Sequence, residues 1–84
     1  MKIIIYVDFS EKDFNKDFAL SNSLTNEHTV LLVTNMEQLH NSMGAYDLIL
    51  RGFSSTDDLS DLGREVIELT SEESIEILNK RLKG

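Results

Sequence analysis

The residues able to do chemistry fall into two groups. The first is a set of small polar positions that each follow an apolar run: Asp8 and Ser10, then Thr34 and Asn35, then Arg51, Gly52, Ser54, Ser55 and Thr56, and finally Thr70. In an open α/β sheet such positions gather where ligands bind, outside the carboxyl ends of the strands. Gly52 lets a ligand approach the backbone, the hydroxyls and the first amides of a helix can hold an anion, and Arg51 adds positive charge. An anion-binding crevice built from Asp8, Ser10, Arg51, Gly52, Ser54, Ser55, Thr56 and Thr70 is therefore one expectation. Ser54-Ser55-Thr56 ahead of Asp57-Asp58 is also what an ordinary helix cap looks like, and the two carboxylates oppose a bound phosphate. Neither the dinucleotide nor the nucleoside-triphosphate glycine fingerprint occurs.

The second group is acidic. Asp57, Asp58, Asp61, Glu65, Glu68, Glu72, Glu73 and Glu76 are opposed within their own stretch by Arg64 alone, so residues 57–76 carry −7. The rest of the chain has seven acids and seven bases, so the whole net charge of −7 sits in one contiguous stretch. Clustered carboxylates steer association with a basic partner, although a charge run is also how a protein keeps a face solvated. The same charge argues against direct binding to nucleic-acid phosphates.

Other chemistries lack their parts. There is no cysteine, which removes disulfides, thiolate nucleophiles and Cys-based metal sites. His28 and His40 fall at a strand start and within a short helix, away from the edge where Asp8 belongs, so neither a triad nor a His-carboxylate metal site is expected. Glu72, Glu73 and Glu76 read as a solvated helix face, because hard-cation loops gather oxygen ligands around a turn glycine. No metal, cofactor or catalytic set is assigned.

The elements that must position these groups alternate along one domain, residues 1–84. A chain of 84 residues holds a single core. Lys2 to Phe9, with Ile3-Ile4-Ile5-Tyr6-Val7, lacks period-two alternation, as expected of a central strand covered on both faces. Ser10 with Asp13 predicts a helix start, and Phe14, Phe18, Leu20 and Leu24 predict the core-facing stripe of a helix of about 14 residues ending near Thr25-Asn26. His28 to Thr34 predicts a second strand. Asn35 with Gln38 predicts the cap of a short helix carrying Met36, Leu39 and Met43, ended by Gly44 in the left-handed conformation.

Leu48-Ile49-Leu50 marks the third strand, followed by a brief acidic helix from Thr56 through Leu59 and Leu62 that Gly63 stops. Val66 to Leu69 is the fourth, and the charges of Glu65 and Glu68 suit an edge. Thr70 with Glu73 predicts a capping box for a last helix with Ile75, Leu78 and Leu82 on one face. Its Glu72 and Glu73 lie in the first turn and its Lys80, Arg81 and Lys83 in the last, as the helix dipole prefers. Each connection is long enough for a crossover, although residues 53–64 are tight for one. The expected fold is a small three-layer, flavodoxin-like α/β sandwich with a four-stranded parallel sheet in the order 2-1-3-4 and helices on both faces.

Lys2-Ile-Ile-Ile-Tyr-Val-Asp8, Tyr46-Asp-Leu-Ile-Leu-Arg-Gly52 and Val66-Ile-Glu-Leu-Thr70 resemble the first, third and fourth strands of response-regulator receiver domains. In that family acids after the first strand help hold magnesium, an aspartate ending the third accepts phosphate, and a hydroxyl after the fourth senses it. Asp8 matches one acid and Thr70 the hydroxyl. Gly52 stands where the phospho-acceptor belongs, Phe9 replaces the second acid, the third helix is too short, and the fifth strand with its lysine is absent. The resemblance implies a truncated pseudo-receiver that is not phosphorylated.

Two functions follow as expectations. One is a non-catalytic protein-binding or regulatory module whose acidic surface, residues 57–76, meets a protein with a basic surface, in one version as an inhibitor of phage or mobile-element type that mimics nucleic acid. The other is a small anion- or nucleotide-binding or phosphotransfer domain using the crevice. An open edge on so small a sheet also suggests a homodimer through the edge strand. The residues before Asp8 are too few for a signal-peptide core and no apolar run reaches membrane-span length, so a soluble, cytoplasmic protein without membrane contact is expected.

Overall fold

A computed structural model describes residues 1–83. The strands are β1 (Lys2–Tyr6), β2 (Thr29–Val33), β3 (Leu48–Arg51) and β4 (Val66–Glu68), and the helices are α1 (Phe14–Leu24), α2 (Met36–Ser42) and α3 (Glu72–Lys83). The strands form one parallel sheet in the order β2-β1-β3-β4. This is the expected α/β architecture and strand order.

The sheet is covered on both faces, which is why its central strand has no polar alternation. Ile3, Ile5 and Val7 pack on one side with Leu24 of α1 and Leu78 of α3. Ile4 and Tyr6 pack on the other with Leu39 of α2 and with Leu59 and Leu62. Ile3, Ile4, Ile5 and Val7 are wholly buried, and each such side chain contributes about 1.5–3 kcal/mol. Register fixes the site: Tyr6 lies beside both Val33 and Arg51, so the turns leaving β1 and β3 are neighbours. Among the described residues no helix is long and apolar enough to cross a membrane.

Several local expectations change. Ser10 does not cap α1. Its amide and hydroxyl donate to Asp8 Oδ1 at 2.9 and 2.6 Å, because a charged acceptor two residues away competes well with helix amides. The helix starts at Phe14 with Asp13 at its N-cap making no side-chain bond, and it has 11 residues. Its buried residues are Asp17, Ser21 and Leu24, and Phe14 and Leu20 pack partly buried against the same core, as expected. Phe14 is partly buried, but Phe18 is 52% exposed and Phe9 59% exposed. Phe9, Phe14 and Phe18 form an outer aromatic row with centroid separations of 4.7 and 6.1 Å.

Asn35 does cap α2, accepting from the Gln38 amide, while Gln38 Oε1 reaches back to the Thr34 amide at 2.9 Å. Gly44 is not left-handed; it lies within a 3₁₀ turn, Met43–Ala45, that prolongs the helix. The brief acidic helix is only a 3₁₀ turn, Ser60–Leu62, preceded by irregular chain and ended by Gly63 at φ 70°. At the start of α3 the predicted Thr70–Glu73 box is replaced by Ser74, whose Oγ accepts from the Thr70 and Ser71 amides at 3.0 and 3.1 Å. The inward Leu78, with Ile75 and Leu82 beside it, is as expected.

Candidate functional site

The crevice exists as a place, and the chain fills it. The Asp8 amide donates to Ser54 Oγ at 2.8 Å, tying the end of β1 to the loop after β3. Into that loop α1 delivers Asp17, which is wholly buried. Its Oδ1 accepts from the Phe53 amide at 2.6 Å, and its Oδ2 accepts from the Ser54 amide at 3.0 Å and the Ser54 hydroxyl at 2.6 Å. Two successive amides and a hydroxyl converging on one carboxylate make an anion nest, occupied here from within. Gly52 is required by the approach: a Cβ at that position would lie 2.5 Å from Asp17 Oδ2.

The neighbouring donors are also engaged. The Gly52 amide donates to Tyr6 O at 2.8 Å and the Ser55 amide to Gly52 O at 3.1 Å. Ser55 Oγ accepts from the Asp57 amide at 3.2 Å. Asp8 keeps an exposed carboxylate whose pKa is lowered by the hydroxyl and the amide of Ser10. Of the eight residues expected to form one crevice, Asp8, Ser10, Gly52 and Ser54 come together. Thr56 lies exposed in irregular chain, and Thr70 turns its amide to Ser74.

Arg51 leaves the group altogether. Alternation along β3 puts it on the face of Ile49, where its Nη1 meets Glu68 Oε2 at 2.9 Å while its Nε is buried without a partner. Tyr6 shares that face and donates to Asp57 Oδ2 at 2.7 Å. Burial, then the hydrogen bond and the charge of Asp57, then the charge of Asp8, push the Tyr6 phenol from 10.0 up to about 12.

The acidic stretch wraps the β4 edge, from the Ser60–Leu62 turn across the strand to the first turns of α3. All eight carboxylate residues, Asp57, Asp58, Asp61, Glu65, Glu68, Glu72, Glu73 and Glu76, are exposed. Glu65 pairs with Arg81 at 2.7 Å and Glu68 with Arg51. Asp58 accepts from the Ser60 amide at 2.9 Å; its pKa is lowered by Ser60 first and more weakly by Arg51. Arg64, the one base in the stretch, pairs with none of these acids: its Nη1 donates to Met43 O and its Nη2 to Tyr46 O, the latter at 2.7 Å. The cation nearest in sequence thus anchors the α2–β3 connection. A hollow of about 200 Å³ lies along this edge between Asp58, Ser60, Arg64, Val66 and Glu68.

Larger hollows open at the amino-terminal ends of the strands, away from the crevice. One of about 390 Å³ lies between the ends of α1 and α3, and one of about 620 Å³ surrounds Met1, His28 and Asp47. His28 Nδ1 is 3.3 Å from the Met1 amino group. Among the described residues no three His, Cys, Asp or Glu side chains converge as a metal-ligand set.

Asp17 is the residue that sequence reasoning missed. An acid inside an amphipathic helix reads as solvent-facing, and two phenylalanines at i, i+4 pull the predicted stripe onto Phe14 and Phe18. The available signal was the spacing Asp17, Ser21, Leu24, which shares a face at i, i+4 and i+7, together with a glycine–hydroxyl loop able to receive a carboxylate. Comparison with family models, with curated proteins and with solved structures returned no match to this chain.

Proposed function

We propose that this chain is a non-catalytic protein-binding module that meets a basic protein surface with the acidic edge around β4. The observation that carries the reading is the placement of Arg64: it spends its guanidinium on the Met43 and Tyr46 carbonyls. Asp61, Glu72, Glu73 and Glu76 are exposed, with no cation paired to them among the described residues. Exposed carboxylates of one sign speed encounter with a cationic partner and repel acidic ones. A regulatory role by occupying the basic groove of a nucleic-acid-binding protein is the version this charge favours, and a cytoplasmic setting suits a chain without cysteine.

The alternative, an anion- or nucleotide-binding or phosphotransfer crevice and with it the pseudo-receiver reading, must compete with Asp17. Any incoming anion needs the Phe53 and Ser54 donors that this carboxylate already holds.

The test is capture from the source host with the chain immobilised, followed by identification of what is retained. A basic partner released by raised salt and displaced by duplex nucleic acid is expected. The variant Asp61→Lys/Glu72→Lys/Glu76→Lys should lose at least about tenfold in affinity. Equal capture by the variant would remove the acidic edge from the account.

A further inference from the structure

The two edges of the sheet are built differently. β4 has three residues, follows Glu65 and ends in Glu68, the kind of charge that discourages strand addition. β2 has five, Thr-Val-Leu-Leu-Val, with no charge, and residues 28–36 contain no Asp, Glu, Lys or Arg. It has no proline or charge to protect it.

The hydrogen bonds show which main-chain groups of β2 are open. The Thr29 amide donates to Met1 O at 3.1 Å and Val33 O accepts from the Val7 amide at 2.9 Å. Thr29, Leu31 and Val33 therefore face β1, and the N–H and C=O groups of Val30 and Leu32 face outward. Thr34, next in the outward set, is closed off by Gln38 Oε1. What remains is a self-complementary pair of residues either side of Leu31.

We propose that β2 pairs antiparallel with β2 of a second copy of this chain, about a two-fold axis at Leu31, to form one continuous eight-stranded sheet. In that register Val30 lies opposite Leu32 of the other copy and Leu32 opposite its Val30. Both are pairs of the hydrogen-bonded type, giving four main-chain bonds. Val30 and Leu32 pack on the core under α1 and α3, and Leu31 on the core under α2, so each core runs on into its counterpart. All three are half-buried in the single chain. The hollow of about 300 Å³ along this edge, lined by Leu31, Leu32, Val33, Gln38, Asn41 and Ser42, lies where the second copy's side chains arrive.

Charge selects a second copy over a charged partner. The order β2-β1-β3-β4 puts the acidic edge three strand spacings away, about 14 Å. That exceeds the roughly 8 Å screening length at physiological salt. Two chains of −7 can thus join at neutral edges with their acidic edges at opposite ends. The inference is independent of what those acidic edges bind.

Sedimentation equilibrium of the whole chain at concentrations up to about 1 mM tests it. The expected result is the mass of two chains, with association unchanged or tightened by added salt. Leu31→Lys sets two ammonium groups together on the axis and should raise the dissociation constant about tenfold or more, its fold being checked by circular dichroism. If that variant does not fold, amide exchange in the unaltered chain decides, since Val30 and Leu32 should be protected in proportion to dimer formed. One-chain mass throughout, a dimer that salt dissolves, a folded Leu31→Lys dimer as tight as the parent, or a dimer in which both amides exchange freely would each overturn the proposal.

Discussion

Asp17 and Gly52 act as one unit. The carboxylate is stable without water because two amides and a hydroxyl face it, and the loop can reach it because residue 52 has no side chain. Asp17→Ala should destabilise the fold by about 3 kcal/mol, since hydrogen bonds to a charge are lost and buried amides are left unpaired. Gly52→Ala should cost about 1–3 kcal/mol by overpacking. In the Asp17→Ala background that second cost should largely vanish, so urea denaturation of the double variant should show strong non-additivity; additive losses would contradict the contact. The receiving loop was legible in the sequence as a glycine and hydroxyls able to hold an anion, but its occupant was not read, because Asp17 looks like any charged helix residue and its partners lie 36 and 37 positions away. Tyr6 offers a separate check. Because the folded state holds its proton more tightly than the unfolded chain, its contribution to stability is complete below about pH 10 and is lost as pH rises to about 12. A phenolate titration of Tyr46→Phe should place the remaining tyrosine near 12, and Asp57→Asn should lower it; ionisation at the ordinary value would contradict the burial and the Asp57 bond.

At the scale of elements, the buried runs were readable because a strand covered on both faces must be apolar at consecutive positions. Ile3-Ile4-Ile5 and Leu48-Ile49-Leu50 have no other economical use, and their burial gives the parallel sheet and its order. Helix boundaries were harder, since a hydroxyl or carboxylate near a helix start has several possible partners within reach. Ser10 turned to Asp8, and Ser74, not Thr70, met the free amides before α3. Asn35 kept its expected role because no nearer charged partner competes. Asn35→Ala should therefore cost about 1 kcal/mol, read as a lower thermal midpoint with the sheet intact; an unchanged midpoint would show that the Gln38 amide finds equal satisfaction elsewhere. The connection between β3 and β4 is the one without an α-helix, and it places its charges on irregular chain and a single 3₁₀ turn.

Across the whole molecule, charge and closure divide the surface. The crevice after β1 and β3, where such sheets commonly bind ligands, is held by the protein's own carboxylate. The β2 edge is neutral and open, and the β4 edge is acidic. The composition made the third feature visible, because residues 57–76 hold the full −7. It could not show that Arg64 bonds to carbonyls and not to the acids, which depends on where Met43 and Tyr46 fall in space. The function proposed above uses the β4 edge and not the crevice, and one measurement separates the two: backbone amide resonances of the labelled chain recorded as the captured basic partner is added. The predicted result is perturbation concentrated in residues 57–76, weakening as salt is raised. Perturbation centred instead on Asp8 to Ser10 and Gly52 to Thr56, with residues 57–76 unmoved, would contradict it.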